Sequence, residues 1–219
     1  MALAQLISSA HQLIIHSHFY FYGTAANEEL AKQIATDIAQ HWNEPKAKIK
    51  YKGSLVDVLF DIKGFFELNL QPETVWYSTD PKLFFFRIEE YSPMHVSFVD
   101  GIGCNTGFFK LDNLLQTSTT AAHEYGHMIG LHHPHELDIR GHETPGIMYP
   151  RGTICDPHCQ YDASASPGEK GGTLDPRHRK VLISDIEQLK LYKLHFNDEG
   201  IAVLGDFTSI YHSPYFPEE

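Results

Sequence analysis

Cysteine is scarce: only Cys104, Cys155 and Cys159 occur in 219 residues. Three are too few for the disulfide framework of a small secreted domain, and a chain of this length can bury a sufficient core without one. Cys155 and Cys159 could pair in an oxidising compartment, and the sequence leaves that open. Basic residues are also few, with 17 Lys and Arg against 28 Asp and Glu and a formal charge of −11. The cations that displace counterions from phosphate are outnumbered and scattered, so nucleic acid is not an expected partner. Long apolar runs are missing as well. Stretches such as Leu83 to Phe86 fall far short of the roughly 18 residues a bilayer requires, so no membrane span is expected. Met1 to His16 has no Lys or Arg and no long hydrophobic block leading to a small-residue cleavage site. It does not read as a signal peptide, which leaves secretion or delivery by another route, or a cytoplasmic location, open. No internal repeat or low-complexity tract is present.

What is there reads as one α+β domain over 1–219, a sheet with packed helices. Gln12 to Tyr22, rich in Ile, Phe and Tyr and ended by Gly23, predicts a strand. A helix to about Trp42 should follow, capped by Thr24 or Asn27, with Leu30, Ile34 and Ile38 on its apolar side. From Lys46 to Leu68 the alternation of Ile49, Tyr51, Val56, Val58 and Phe60 predicts strands, and Leu83 to Ile88, His95 to Val99 and Phe108 to Leu111 continue the sheet. Thr117 to Leu131 predicts a second helix, with Ser118 or Thr119 as cap and Gly130 near its end. His132 to Gly172, rich in Pro, Gly, His and Asp, should be mostly loop. A last helix is expected over about Pro176 to Leu194, and a strand at Ile201 to Leu204.

The chemistry concentrates in His123-Glu124-Tyr125-Gly126-His127-Met128-Ile129-Gly130-Leu131-His132-His133. Residues four apart share a helix face, so His123 and His127 can converge on one metal ion. Glu124, turned by about 100° from His123, can stand beside a metal-bound water as a general base without being a ligand. Gly130 can take the left-handed conformation that ends a helix, and the resulting turn can return His133 as third ligand. Three neutral imidazoles leave one tetrahedral position open, which suits catalytic rather than closed structural zinc. The long pattern HExxHxxGxxH fixes five positions, and at roughly one in twenty each it arises by chance in well under about one such sequence in a thousand. His132 and His135 flank His133 and compete for its role, and Glu136 or Glu143 would serve a site completed by a carboxylate. Spacing from the Gly130 turn favours His133. Two further His/Cys groups read as ordinary structure: His158 between Cys155 and Cys159 would make a cramped ligand set, and His16 and His18 share a strand face with nothing to complete a site.

These residues resemble the metzincin clan of zinc peptidases, most nearly the matrixins. The resemblance rests on Ala121 to His127, Gly130-Leu131, His133 and Ile147-Met148-Tyr149-Pro150, which is similar to a Met-turn. It implies a twisted mixed sheet, an active-site helix and a C-terminal helix, divided into subdomains at about 1–132 and 133–219. It also implies Met148 beneath the histidines, and Tyr149 and Pro150 at the wall of the substrate pocket. Asp185-Ile186-Glu187-Gln188-Leu189 looks like the start of the last helix, with Asp185 supporting the Met-turn. An edge strand should bind the peptide, and Gly107 to Leu111, with Gly107 and Phe108, is the candidate. The interval from His133 to Met148 is longer than in typical matrixins, and no cysteine switch, calcium loop or second structural zinc is evident.

The expected activity is endopeptidase cleavage of a protein or peptide substrate with one catalytic zinc ion. Glu124 takes a proton from the attacking water and returns it to the departing amine. Two other readings share the motif: a zinc-containing binding module without turnover, and a delivered effector or toxin domain.

Overall fold

The computed structural model describes residues 1–115, 118–142, 144–166 and 172–214. Its centre is an open, mixed eight-stranded sheet. The strands are β1 (Ala2–Ile7), β2 (Gln12–Tyr22), β3 (Lys48–Tyr51), β4 (Ser54–Phe66), β5 (Leu83–Glu89), β6 (Phe98–Val99), β7 (Thr106–Lys110) and β8 (Ile201–Leu204). The main path runs β3-β4-β2-β5-β7-β6, with β1 joined to β2 and β8 to β1. β2 organises the sheet. Its pairing with β4 is parallel from Gln12 to Phe21, while β1 takes Gln12 to His16 antiparallel and β5 takes His18 to Tyr22 parallel.

Alternation explains which face of β2 is covered: Leu13, Ile15, Ser17, Phe19 and Phe21 are buried, and the residues between them are partly exposed. The covering layer is helix α1 (Glu28–Asn43), which buries Leu30, Ile34, Ile38 and Trp42. Asn27 caps α1, its Oδ1 accepting from the Leu30 N–H at 2.9 Å, and Glu28 and Glu29 sit at its positive end. Helix α3 (Thr120–Met128) packs beside α1 on the same face of the sheet, and every residue from Ala121 to Met128 is buried. Tyr125 joins the helix to the core: it packs at 5.5 Å from Trp42, 6.1 Å from Phe19 and 6.2 Å from Phe60, and its hydroxyl bonds to Ser17 Oγ at 2.9 Å. Complete burial of one such ring contributes about 1.5–3 kcal/mol, so the motif is set on a rigid support.

Several expectations change. β1 and the short helix α2 (Pro72–Trp76) were not anticipated. The strand expected over His95 to Val99 contracts to the two residues of β6. The long final helix is not formed. In its place are a 3₁₀ turn at Pro176–His178, helix α4 (Ile183–Gln188) and another 3₁₀ turn at Leu191–Lys193. The break has a local cause. Arg179 is extended and Leu182 is the extended cap of α4, its N–H bonded to Asp185 Oδ2 at 2.7 Å, and Lys190 takes a left-handed conformation.

Candidate metal centre

α3 ends in a Schellman turn. Leu131 N–H donates to Gly126 O at 2.9 Å and Gly130 N–H to His127 O at 3.0 Å, with Gly130 at φ +109°. A side chain at this φ is strained, so glycine here is a condition for the turn. The turn carries His133 back over the helix. The observed helix is thus shorter at its C-terminus than the stretch to Leu131 expected from sequence, and Thr117, its expected start, lies outside the described residues.

His123, His127 and His133 come together as a group able to hold a metal ion. His133 Nε2 lies 3.0 Å from both His123 Nε2 and His127 Nε2. Ligand nitrogens at about 2.0–2.1 Å from an ion in tetrahedral arrangement stand about 3.3 Å apart, close to what is found. The outer nitrogens fix the tautomers. His123 Nδ1 donates to Ile147 O and His127 Nδ1 to Leu131 O, each at 2.7 Å. Both rings then direct a bare Nε2 lone pair inward. Burial pushes all three imidazoles towards the neutral form: His123 falls well below its ordinary value, His127 to about 4, and His133 is lowered, with Arg179 adding to the effect on each. Neutral rings with converging lone pairs repel one another unless a cation sits between them.

Glu124 follows His123 on the helix, is 8% exposed and lines the same cleft as the three histidines. Burial pushes its carboxyl up to about 8, with the positive charge of Arg179 pulling it down. Arg179 itself had no signal in the sequence, since nothing in a Pro-Arg-His-Arg-Lys run marks one arginine as buried. It is 4% exposed. Its Nη1 donates to Tyr149 O and its Nε to Thr119 Oγ1, each at 3.0 Å, and Thr119 Oγ1 donates to Pro176 O at 2.6 Å. Nη1 also lies 3.0 Å from His123 Nδ1. Because the Nδ1 proton points to Ile147 O at the shorter distance, that approach is a contact between two donors. Arg179 therefore joins the residue before α3 to the Met148 segment directly behind His123.

Met148 is buried against α3 at Gly126, where an added Cβ would lie 2.3 Å from Met148 Sδ. Asp185 is 5% exposed and accepts the backbone N–H groups of Leu182 and Ile147, so it braces the residue that precedes Met148. Tyr149 packs its ring on a small apolar cluster of Ile139, Cys155, Cys159 and Leu174. Neither Tyr149 nor Pro150 is among the residues lining the cleft beside the histidines. Cys155 and Cys159 are free and buried, as is Cys104.

One wall of the cleft is Ser97, Phe98, Val99, Gly101 and Ile102, and the other includes His132, His133 and His135. The edge strand is β6. This corrects the sequence-based choice of Gly107 and Phe108: both are buried in β7, where Gly107 pairs with Phe86 and Val99 and Phe108 with Arg87 and Phe98, so neither has a free main-chain edge. The misplacement arose because strand order is decided by tertiary pairing, which the sequence pattern of single strands does not display. Among the competing ligands, His132 and His135 stay on the rim outside the three-histidine group, and Glu136 is exposed and accepts from Asp138 N–H at 3.0 Å. Glu143 lies outside the described residues. Gly103 N–H donates to His127 O at 2.7 Å, tying the segment after β6 to the metal helix. No protein-family model, curated protein or solved structure matches the chain.

Proposed function

We propose that this chain is a zinc-dependent endopeptidase of the metzincin type, with His123, His127 and His133 as zinc ligands and Glu124 as general base. The observation that carries the reading is the convergence of three Nε2 atoms, two of them tautomer-fixed, beside a buried carboxyl group in an open cleft. A structural zinc site is closed by four protein ligands, whereas three histidines leave a position for a reactant. When bound, zinc would supply Lewis acidity and lower the pKa of a water molecule.

The chain's own residues account for the rest. Ile147 O and Leu131 O hold two imidazoles in the ligating tautomer. Glu124 accepts a proton from the attacking water and delivers it to the departing amine; a carboxyl whose proton affinity is raised by burial is suited to both acts. β6 offers its outer main-chain edge to an extended peptide, which would add as a further strand. Phe98, Val99 and Ile102 would then contact side chains along it.

The test is metal content by elemental analysis for the parent, His133→Ala and Glu124→Gln, together with cleavage of a mixed peptide library with and without chelator. The expected result is near-stoichiometric zinc in the parent and Glu124→Gln, loss of zinc in His133→Ala, and chelator-sensitive cleavage by the parent alone. A fall of about 10²–10⁴ in turnover is expected for Glu124→Gln. Zinc without any cleavage would make the chain a binding module, and absence of metal would overturn the reading.

A further inference from the structure

The cleft wall has little of its own to hold it. β6 contributes two register pairs, Phe98 with Phe108 and Val99 with Gly107, and flanking Met94, Val96 and Ile102 are exposed. A two-residue strand cannot by itself fix an edge on which a peptide must align, since short ladders with exposed flanks open readily. The missing restraint comes from the C-terminal segment. Asp206 N–H donates to Gly103 O at 2.8 Å, and Thr208 N–H to Asn105 Oδ1 at 2.9 Å. Further on, His212 N–H donates to Tyr22 Oη at 3.0 Å, and Tyr211 stacks on Tyr22 at 5.3 Å.

The contact that reaches the wall is made by the His212 side chain. Its Nε2 lies 3.0 Å from Asp100 Oδ2, and its ring stands edge-on to Phe98 and Phe108 at 5.7 and 5.8 Å. Asp100 directly follows β6 and directly precedes Gly101 and Ile102, which line the cleft. Its carboxylate is 7% exposed at the side chain and has two side-chain partners, His212 and Thr106. A buried carboxylate that loses a charge-assisted partner must rehydrate or move, and here moving means displacing the wall.

We propose that the segment from Asp206 to His212 is a strap that sets the position of the cleft wall, with His212 and Asp100 as positioning residues for the peptide substrate. The strap makes the far end of the chain part of the site, although His212 is 79 positions beyond the last metal ligand, His133. Its substrate role rests on the peptidase reading, and its mechanical role does not. The strap touches no metal ligand, so loosening it should weaken substrate alignment while leaving the chemical centre in place.

The experiment uses the full chain and four variants: His212→Ala, Asp100→Ala, Asp100→Asn, and the double alanine variant. Amide hydrogen exchange of Asp100 and Gly103, whose N–H groups bond to Thr106 O and His127 O, reads the wall directly. Either alanine variant should speed exchange at these amides by about tenfold or more while α1 amides keep their protection. Asp100→Asn keeps an acceptor for Nε2 and should rescue most of the protection. The double variant should be no worse than either single one, because both remove one interaction. With zinc content unchanged, KM for a cleaved library peptide should rise about fivefold or more and kcat stay within about twofold. Unchanged exchange in His212→Ala would overturn the strap, and faster exchange with unchanged KM would overturn its positioning role. A parent chain that cleaves nothing would overturn the peptidase reading instead, and the exchange data would then judge the strap alone.

Discussion

Arg179 is buried, yet among the described residues no carboxylate lies within ion-pairing distance of its guanidinium. Burial lowers its affinity for a proton to about 10, partly offset by Glu124, the first of the opposing charges that act on it. A buried cation without a direct partner is costly, and replacing such a group by an apolar one of similar size is often neutral or stabilising. If Arg179 served the fold, its removal would be expected to lower stability. If it serves the site, stability and activity should part company. The expected outcome for Arg179→Met is a melting temperature equal to or above the parent's, with turnover lower by about 10–100-fold, the usual effect of removing an outer support of a metal centre. Thermal melts and steady-state kinetics on the same preparation check it, and a large fall in melting temperature with intact turnover would assign Arg179 to the fold.

At the scale of elements, the junction between α4 and the Met148 segment has a pH signature. Burial raises the Asp185 carboxyl above its ordinary value, and the Leu182 and Ile147 N–H groups oppose the shift without cancelling it. The folded chain therefore binds this proton more tightly than the unfolded chain does. Stability from this group is present below the unfolded pKa and is lost as pH rises through the folded one. Asp185→Asn removes the titration, so the stability of the variant minus that of the parent should increase from about pH 4 towards neutrality. Urea unfolding of both chains across that range measures it, and parallel curves or the opposite slope would show that the carboxylate is not disfavoured by the fold. Such a junction was only partly legible in the sequence. The ligand histidines, Glu124 and the turn at Gly130 could be placed because they are local: helix spacing and one glycine suffice. Long, regular elements such as β2 and α1 were equally legible. Asp185 could be named, but its burial depends on Ile147, which is 38 positions away in sequence. The two-residue extent of β6 escaped because its tertiary pairing with β7 decides it, and the break in the last helix escaped because a local cap, Leu182 N–H to Asp185 Oδ2, interrupts the chain without disturbing the apolar periodicity.

For the whole molecule, the question is how much of the fold depends on metal. A small zinc domain has little other core, and chelation unfolds it. Here the metal helix belongs to the main core: Ala121, Ala122, Tyr125 and Met128 pack with residues of α1, the sheet, Ile147, Met148 and Ile186. Two of the three candidate ligands sit on that helix, and His133 comes from the segment beyond Gly130. Metal should thus fasten one returning loop to a preformed body. Binding to the folded chain alone adds about 4 kcal/mol at a thousandfold excess of free metal over Kd, and for a chain of this size each kcal/mol moves the melting temperature by about 2–4 °C. Chelation should therefore lower the melting temperature by about 10 °C, leave a single cooperative transition, and hardly change far-ultraviolet circular dichroism. Re-addition of zinc should restore the full value, and His133→Ala should melt like the chelated parent with or without zinc. Collapse of the transition on chelation would mean that the ion holds the fold together, which is the behaviour of a structural site and would count against a catalytic one.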